Sequence, residues 1–190
     1  MKHSDLPFGS EFSPSQIELP TFMTFENQTQ PKISRLLQKP LSTILEEVRS
    51  RDKCTSVLAL EALAFHLMRP IGLAYIGTRW KKGKGIQVFG QRSGFLLERW
   101  LFFCTNKLVN EDEVATEVGL MGYFGCSVAC IVSTKKFLER ARRYVGAVRS
   151  VLPGALVLID AETLRKITHR QKAFVETIMS QAPFVLVGKA

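Results

Sequence analysis

Few side chains in this sequence are of a type and spacing that could do chemistry, and they cluster at the ends of apolar runs. The stretch RWLFFCTNKL, Arg99 to Leu108, is bulky and apolar, then turns polar at Cys104, Thr105 and Asn106. A buried β-strand reads this way where it emerges into a cleft. Residues two apart on a strand share a face, so Phe103 and Thr105 point into the same cleft. A carboxylate at the first position could ligate a divalent cation, and a lysine at the second could set a positive charge beside a phosphate. Phenylalanine and threonine do neither. Glu61 in LEALAFHLMRP and Gln87 in GIQVFG are the other polar groups set into apolar elements.

A second group has a different chemistry. Arg79, Lys81, Lys82 and Lys84 crowd the segment RWKKGKG, and Arg92 follows in the next turn. Cations at loop tips neutralise phosphates and release counterions, which gives affinity without sequence choice. Lys135, Lys136, Arg140, Arg142, Arg143 and Arg149 enrich a later segment, where the wet face of an amphipathic helix explains Arg140 and Arg143 equally well.

Composition sets the outer bounds. The 190 residues carry a formal net charge of +9, which favours an acidic partner, nucleic acid ahead of an anionic membrane surface. Apolar residues make up 46%, enough for a real core and too many for a disordered chain. Cys54, Cys104, Cys126 and Cys130 form no C-x-x-C pair and have mostly apolar neighbours, so they read as buried free thiols. Cys126 and Cys130 would share a face if one strand ran through both. A metal site is not expected. The apolar runs are read as too short to span a bilayer, and MKHSDLPFGSEF lacks the apolar centre of a signal peptide. A cytoplasmic protein without membrane partners is the expectation.

The elements that must position these residues follow from periodicity. Residues 1–50 read as an N-terminal arm, LPFGSEFSPSQIELPTF, followed by a short helical extension interrupted at Pro40. TSVLALEALAFHLMRP reads as a buried helix capped by Thr55 or Ser56 and ended by Pro70. Three strands are expected at 73–80, 85–90 and 94–104, joined by turns that carry glycine. Asn110 caps a helix, SVACIVST is a strand covered on both faces, and a helix follows over Lys136–Val151. ALVLID is another buried strand, and a helix starts after Asp160. The order predicts an α/β protein with a mixed β-sheet flanked by helices on both faces. Residues 51–170 form the main domain, and the tail, 171–190, holds a helix and an edge strand at PFVLVG.

Four blocks carry a family resemblance: LEALAFHLMRPIGLAYIGTR, RWLFFCTN, DEVATEVGLMGYFGCSVACIVSTKKFLERARRYVG and ALVLIDAETLRKI, from about Leu60 to Ile167. This part of the chain resembles the Mrr-type restriction endonuclease branch of the PD-(D/E)XK nuclease superfamily. The resemblance implies a restriction-endonuclease-like αβββαβ core. It also implies a centre built from a helix acid, a second-strand aspartate, and a Glu or Gln followed two residues later by Lys on the third strand. Position by position, Glu61 matches the helix acid and Gln87 the aspartate. Phe103 and Thr105 match the third-strand pair. Losing the anions and the cation together removes the electrostatic stabilisation on which such chemistry depends.

The leading expectation is therefore a nucleic-acid-binding, catalytically degenerate domain with no cofactor. It would act on DNA alone, as a homodimer or beside an active nuclease partner, through Arg79, Lys81, Lys82, Lys84 and Arg92. The first alternative is a Mg²⁺-dependent DNA endonuclease with a relocated site that uses Glu61, Gln87 and Lys107. The second is a non-catalytic assembly protein.

Overall fold

The computed structural model describes residues 34–35, 37–92, 97–170 and 172–182. The N-terminal arm and the PFVLVG segment lie outside the described residues. Residues 34–35 and 37 are helical, and helix α1, Leu41–Glu47, starts directly after Pro40, so the extension is interrupted at that proline as expected. Ile44 and Val48 are fully buried against the long helix α2, Lys53–Met68. The cap of α2 is Asp52, not Thr55 or Ser56: its carboxylate accepts from the Cys54 and Thr55 amides at 3.3 and 2.9 Å. Ser56 instead donates to the Val48 carbonyl at 2.7 Å and joins the two helices. A 3₁₀ turn at Arg69–Ile71, containing Pro70, ends the run at Gly72, which takes the left-handed conformation. By length and composition, Lys53–Ile71 would suffice to cross a bilayer, which corrects the expectation that no run approaches that length. Here it serves as the central helix of the core.

The sheet has five strands in chain order: β1 (Ala74–Lys81), β2 (Gly85–Arg92), β3 (Glu98–Thr105), β4 (Val128–Ser133) and β5 (Ala155–Ile159). Strands β1, β2 and β3 run antiparallel, and β3, β4 and β5 run parallel, so the sheet is mixed as the pattern predicts. Helix α3, Glu111–Tyr123, crosses between β3 and β4 behind a capping box of Asn110 and Glu113. Helix α4 spans Glu139–Val148. It starts later than expected because Phe137 is drawn into a bridge with Val109 and Leu138 takes the cap position. Helices α5, Ala161–His169, and α6, Lys172–Gln181, complete the fold.

Alternation along the strands separates two cores. Ile86, Val88, Trp100, Phe102, Cys104 and Cys130 pack towards α1, α2, α5 and α6. Phe89, Leu101, Phe103, Ile131 and Cys126 pack towards α3 and α4. Cys126 and Cys130 therefore lie on opposite sides, because β4 begins only at Val128. Cys104, Cys126 and Cys130 are buried free thiols, but Cys54 is exposed at the start of α2, which corrects the reading for that residue. Full burial of side chains such as Trp100 and Phe102 stabilises the fold by about 2 to 3 kcal/mol each.

Candidate functional site

The register of the antiparallel strands decides which of the predicted residues meet. Gln87 pairs with Arg79 on one side and Phe103 on the other. Its neighbour Val88 pairs with Thr78 and Phe102. Gln87, Phe103 and Thr105 therefore share the face towards α3, as strand alternation requires. Glu61 is on α2, against the other face, where it accepts from the Thr78 hydroxyl at 2.6 Å. The sheet thus stands between Glu61 and Gln87, and the proposed set of Glu61, Gln87 and Lys107 does not converge. Lys107 lies exposed beyond β3, and its ammonium donates to the Gly83 carbonyl. Burial pushes the Glu61 carboxyl above the usual carboxylate range, against the opposing effect of the Thr78 hydroxyl.

The group that does meet Gln87 is one that the strand-end reading missed. Glu117, on α3, is fully buried. Its Oε2 accepts from Gln87 Nε2 at 2.6 Å, and its Oε1 accepts from Lys81 Nζ at 2.8 Å. The Lys81 ammonium also lies 5.3 Å from the centre of the Phe103 ring, within cation–π range. Three elements, β1, β2 and α3, are tied here by one carboxylate with a donor on each oxygen. The sequence carried a signal for it. Val114, Glu117 and Met121 recur at helical spacing and share the buried side of α3, so an acid stood on an apolar stripe.

Thr105 has a different local task. Its hydroxyl donates to the Lys84 carbonyl at 2.6 Å, and its backbone carbonyl accepts from the Thr134 amide at 3.1 Å. It thereby pins the β1–β2 hairpin to the end of β3. Gly85 is needed beside it, since a Cβ there would sit 2.4 Å from the Cys104 carbonyl oxygen.

A divalent cation of the kind the resemblance implies needs several oxygen ligands. Phe103 offers none, Gln87 offers only a neutral amide oxygen, and both Glu117 oxygens already accept from donors. Among the described residues no group of three His, Cys, Asp or Glu side chains comes together. These residues do not fit such an ion.

The basic candidates separate as well. Lys82 and Lys84 are exposed at the hairpin tip, where the Lys84 amide donates to the Lys81 carbonyl at 2.8 Å and Gly83 supplies the positive φ of the turn. Arg79 is exposed, with its guanidinium 5.2 Å from the centre of the Phe124 ring. Arg92 lies at the opposite end of β2, about 23 Å along the strand from Gly85. It is ion-paired with Glu98 at 2.6 Å, so it does not join the hairpin cluster.

The Mrr catalytic-domain model, described as a restriction endonuclease, matches residues 54–168. No curated protein matches the sequence. Among solved structures, the MspJI restriction endonuclease in complex with a 27-mer oligonucleotide is similar at 16% identity and a TM-score of 0.43, over 75% of this chain and 34% of that one. Restriction endonuclease FokI bound to DNA is similar at 9% identity and a TM-score of 0.45, over 86% of this chain and 32% of that one. The chain spans about a third of the length of either. With a family model covering more than half of its residues, this chain belongs to the Mrr catalytic-domain restriction endonucleases.

Proposed function

We propose that this chain is a DNA-binding member of its family that does not itself cut, and that its contact with the duplex runs through the β1–β2 hairpin. The supporting observation is the state of the Glu117 carboxylate. An ammonium pairs with it and an amide donates to it inside the protein, next to a phenylalanine ring, at positions where the resemblance implies oxygen ligands and a lysine. Phosphodiester hydrolysis needs a very large acceleration, and electrostatic stabilisation of the developing charge is usually its largest part. Nothing in this cluster is free to supply it.

Binding asks for less. Arg79, Lys82 and Lys84 present three charges from one hairpin, and the chain as a whole carries +9. Contacts of this kind act on the phosphate backbone and position the duplex without reading its sequence. Cleavage in this setting would require groups supplied by another chain.

The test is to incubate purified protein with supercoiled plasmid, with and without Mg²⁺ or Mn²⁺, and to score retardation and nicking together. Metal-independent retardation that weakens steeply with salt, without nicking, is the expected result. Metal-dependent nicking abolished by Glu61→Ala would establish the relocated endonuclease instead. Absence of retardation at low salt would leave the assembly role.

A further inference from the structure

The hairpin has a second side. Trp80 faces away from Gln87, towards α2, and the residue is 58% exposed, although most large apolar side chains of the sheet are buried. With Val57 and Leu60 of α2 it forms one apolar wall of a cavity of ≈ 420 Å³ between the helix and the hairpin. That size falls within the range of small-molecule sites, about 300 to 1,000 Å³. The rest of the lining is polar or cationic and includes Gly83, Gly85 and Asn106. Lys53 comes from α2, Lys81, Lys82 and Lys84 from the hairpin, and Lys107 from beyond β3, with no acidic residue on the wall. Lys53, Lys82 and Lys84 have no ion-pair partner among the described residues. The wall is also held in place, because Thr105 and Lys107 bond the carbonyls of Lys84 and Gly83.

A flat apolar surface ringed by lysines matches one chemistry better than others. We infer that this cavity takes an unpaired base of a DNA strand, stacked on Trp80, with the flanking phosphates on Lys53, Lys84 and Lys107. Stacking on an aromatic ring tolerates any base, and the cations follow the backbone, so the site selects strand state and not sequence. Duplex DNA keeps its bases stacked inside and can offer only phosphates. The inference rests on the DNA-binding reading and sharpens it: gapped or frayed DNA is the preferred ligand.

Two tryptophans make this directly readable, because Trp100 is fully buried and only Trp80 is open to contact. The full chain is titrated with an intact duplex, with the same duplex carrying a short thymidine gap, and with one carrying an abasic gap. The expected result is binding roughly tenfold tighter to the thymidine gap than to the duplex, with quenching of Trp80 emission that the abasic gap does not produce. Trp80→Ala should remove both the preference and the quench while circular dichroism confirms the fold. Lys53→Ala, outside the hairpin, should weaken the preference and leave the tryptophan signal in place. Equal affinity for gap and duplex without quenching would overturn the cavity assignment and leave duplex binding standing. Equal quenching by the abasic gap would show that phosphates alone are held, which also overturns it. Failure to bind any of the three at low salt would remove the DNA-binding reading itself.

Discussion

Lys81 Nζ on β1 and Glu117 Oε1 on α3 lie 2.8 Å apart, and the pair bridges the hairpin to the helix that crosses behind it. Glu117 is fully enclosed, while 23% of the Lys81 side chain reaches solvent. Removing one partner of a buried pair strands the other charge, which costs more than the intact pair contributes. Lys81→Met should therefore destabilise the protein by about 2 to 3 kcal/mol, discounted for the exposed part of the lysine. Adding Glu117→Gln should recover much of that loss. A double-mutant cycle in urea measures the coupling. Additive losses would show that the two charges are energetically independent.

The same pair bears on nucleic-acid affinity. Lys81 already has an anionic partner inside the protein, whereas Lys82 and Lys84 do not. Each phosphate-contacting lysine lost should lower the salt slope of duplex affinity by about 1. Lys82→Ala and Lys84→Ala are expected to do so, and Lys81→Ala to change the slope by clearly less. Fluorescence anisotropy of a labelled duplex across a salt series reads all three. Equal slopes for the three variants would return Lys81 to the binding set.

Glu61 gives the stability a pH dependence of known sign. Burial raises its folded-state value above the usual carboxylate range. The folded protein then binds more protons than the unfolded chain in the window just above the unfolded value. The stabilisation from this group is present in acid and is lost as pH rises through the raised folded value. Glu61→Gln removes the charge and keeps an oxygen for the Thr78 hydroxyl. The variant should match the wild type in acid and gain midpoint urea concentration towards neutral pH. An unchanged difference between the two across pH 4 to 7 would refute the assignment.

Thiol reactivity should divide one against three. Cys54 is exposed, and Cys104, Cys126 and Cys130 are buried. Burial pushes Cys126 up to about 11, with the Arg99 charge opposing, and pushes Cys104 and Cys130 well above the ordinary range. Since the thiolate is the reactive form, a chromogenic disulfide reagent should titrate one thiol rapidly in the native protein and four in denaturant. A Cys54→Ser variant showing fast native reaction would contradict the burial of the others.

Much of the architecture was legible because it depends on local pattern. The apolar runs in GIQVFG and RWLFFC, the all-round apolarity of LALEALAFHLM and the capping signal at Asn110 each correspond to an element in the fold. Boundaries were less legible. Whether Asp52 or Thr55 caps α2 depends on which carboxylate or hydroxyl reaches the free amides, and Asp52 reaches two of them. The start of α4 was set by a bridge between Val109 and Phe137, a contact across 28 residues that no local window contains.

By itself the sequence determined the mixed sheet, the family resemblance, and the residue types at Gln87, Phe103 and Thr105, because periodicity and side-chain chemistry are properties of neighbours along the chain. Only the tertiary structure decided that Glu61 stands behind the sheet from Gln87, that Glu117 takes up the charge of Lys81, and that Trp80 faces a lysine-walled cavity. Those relations follow from strand register and helix docking. A shift of one residue in register would exchange the two faces, and packing of the whole core sets that register.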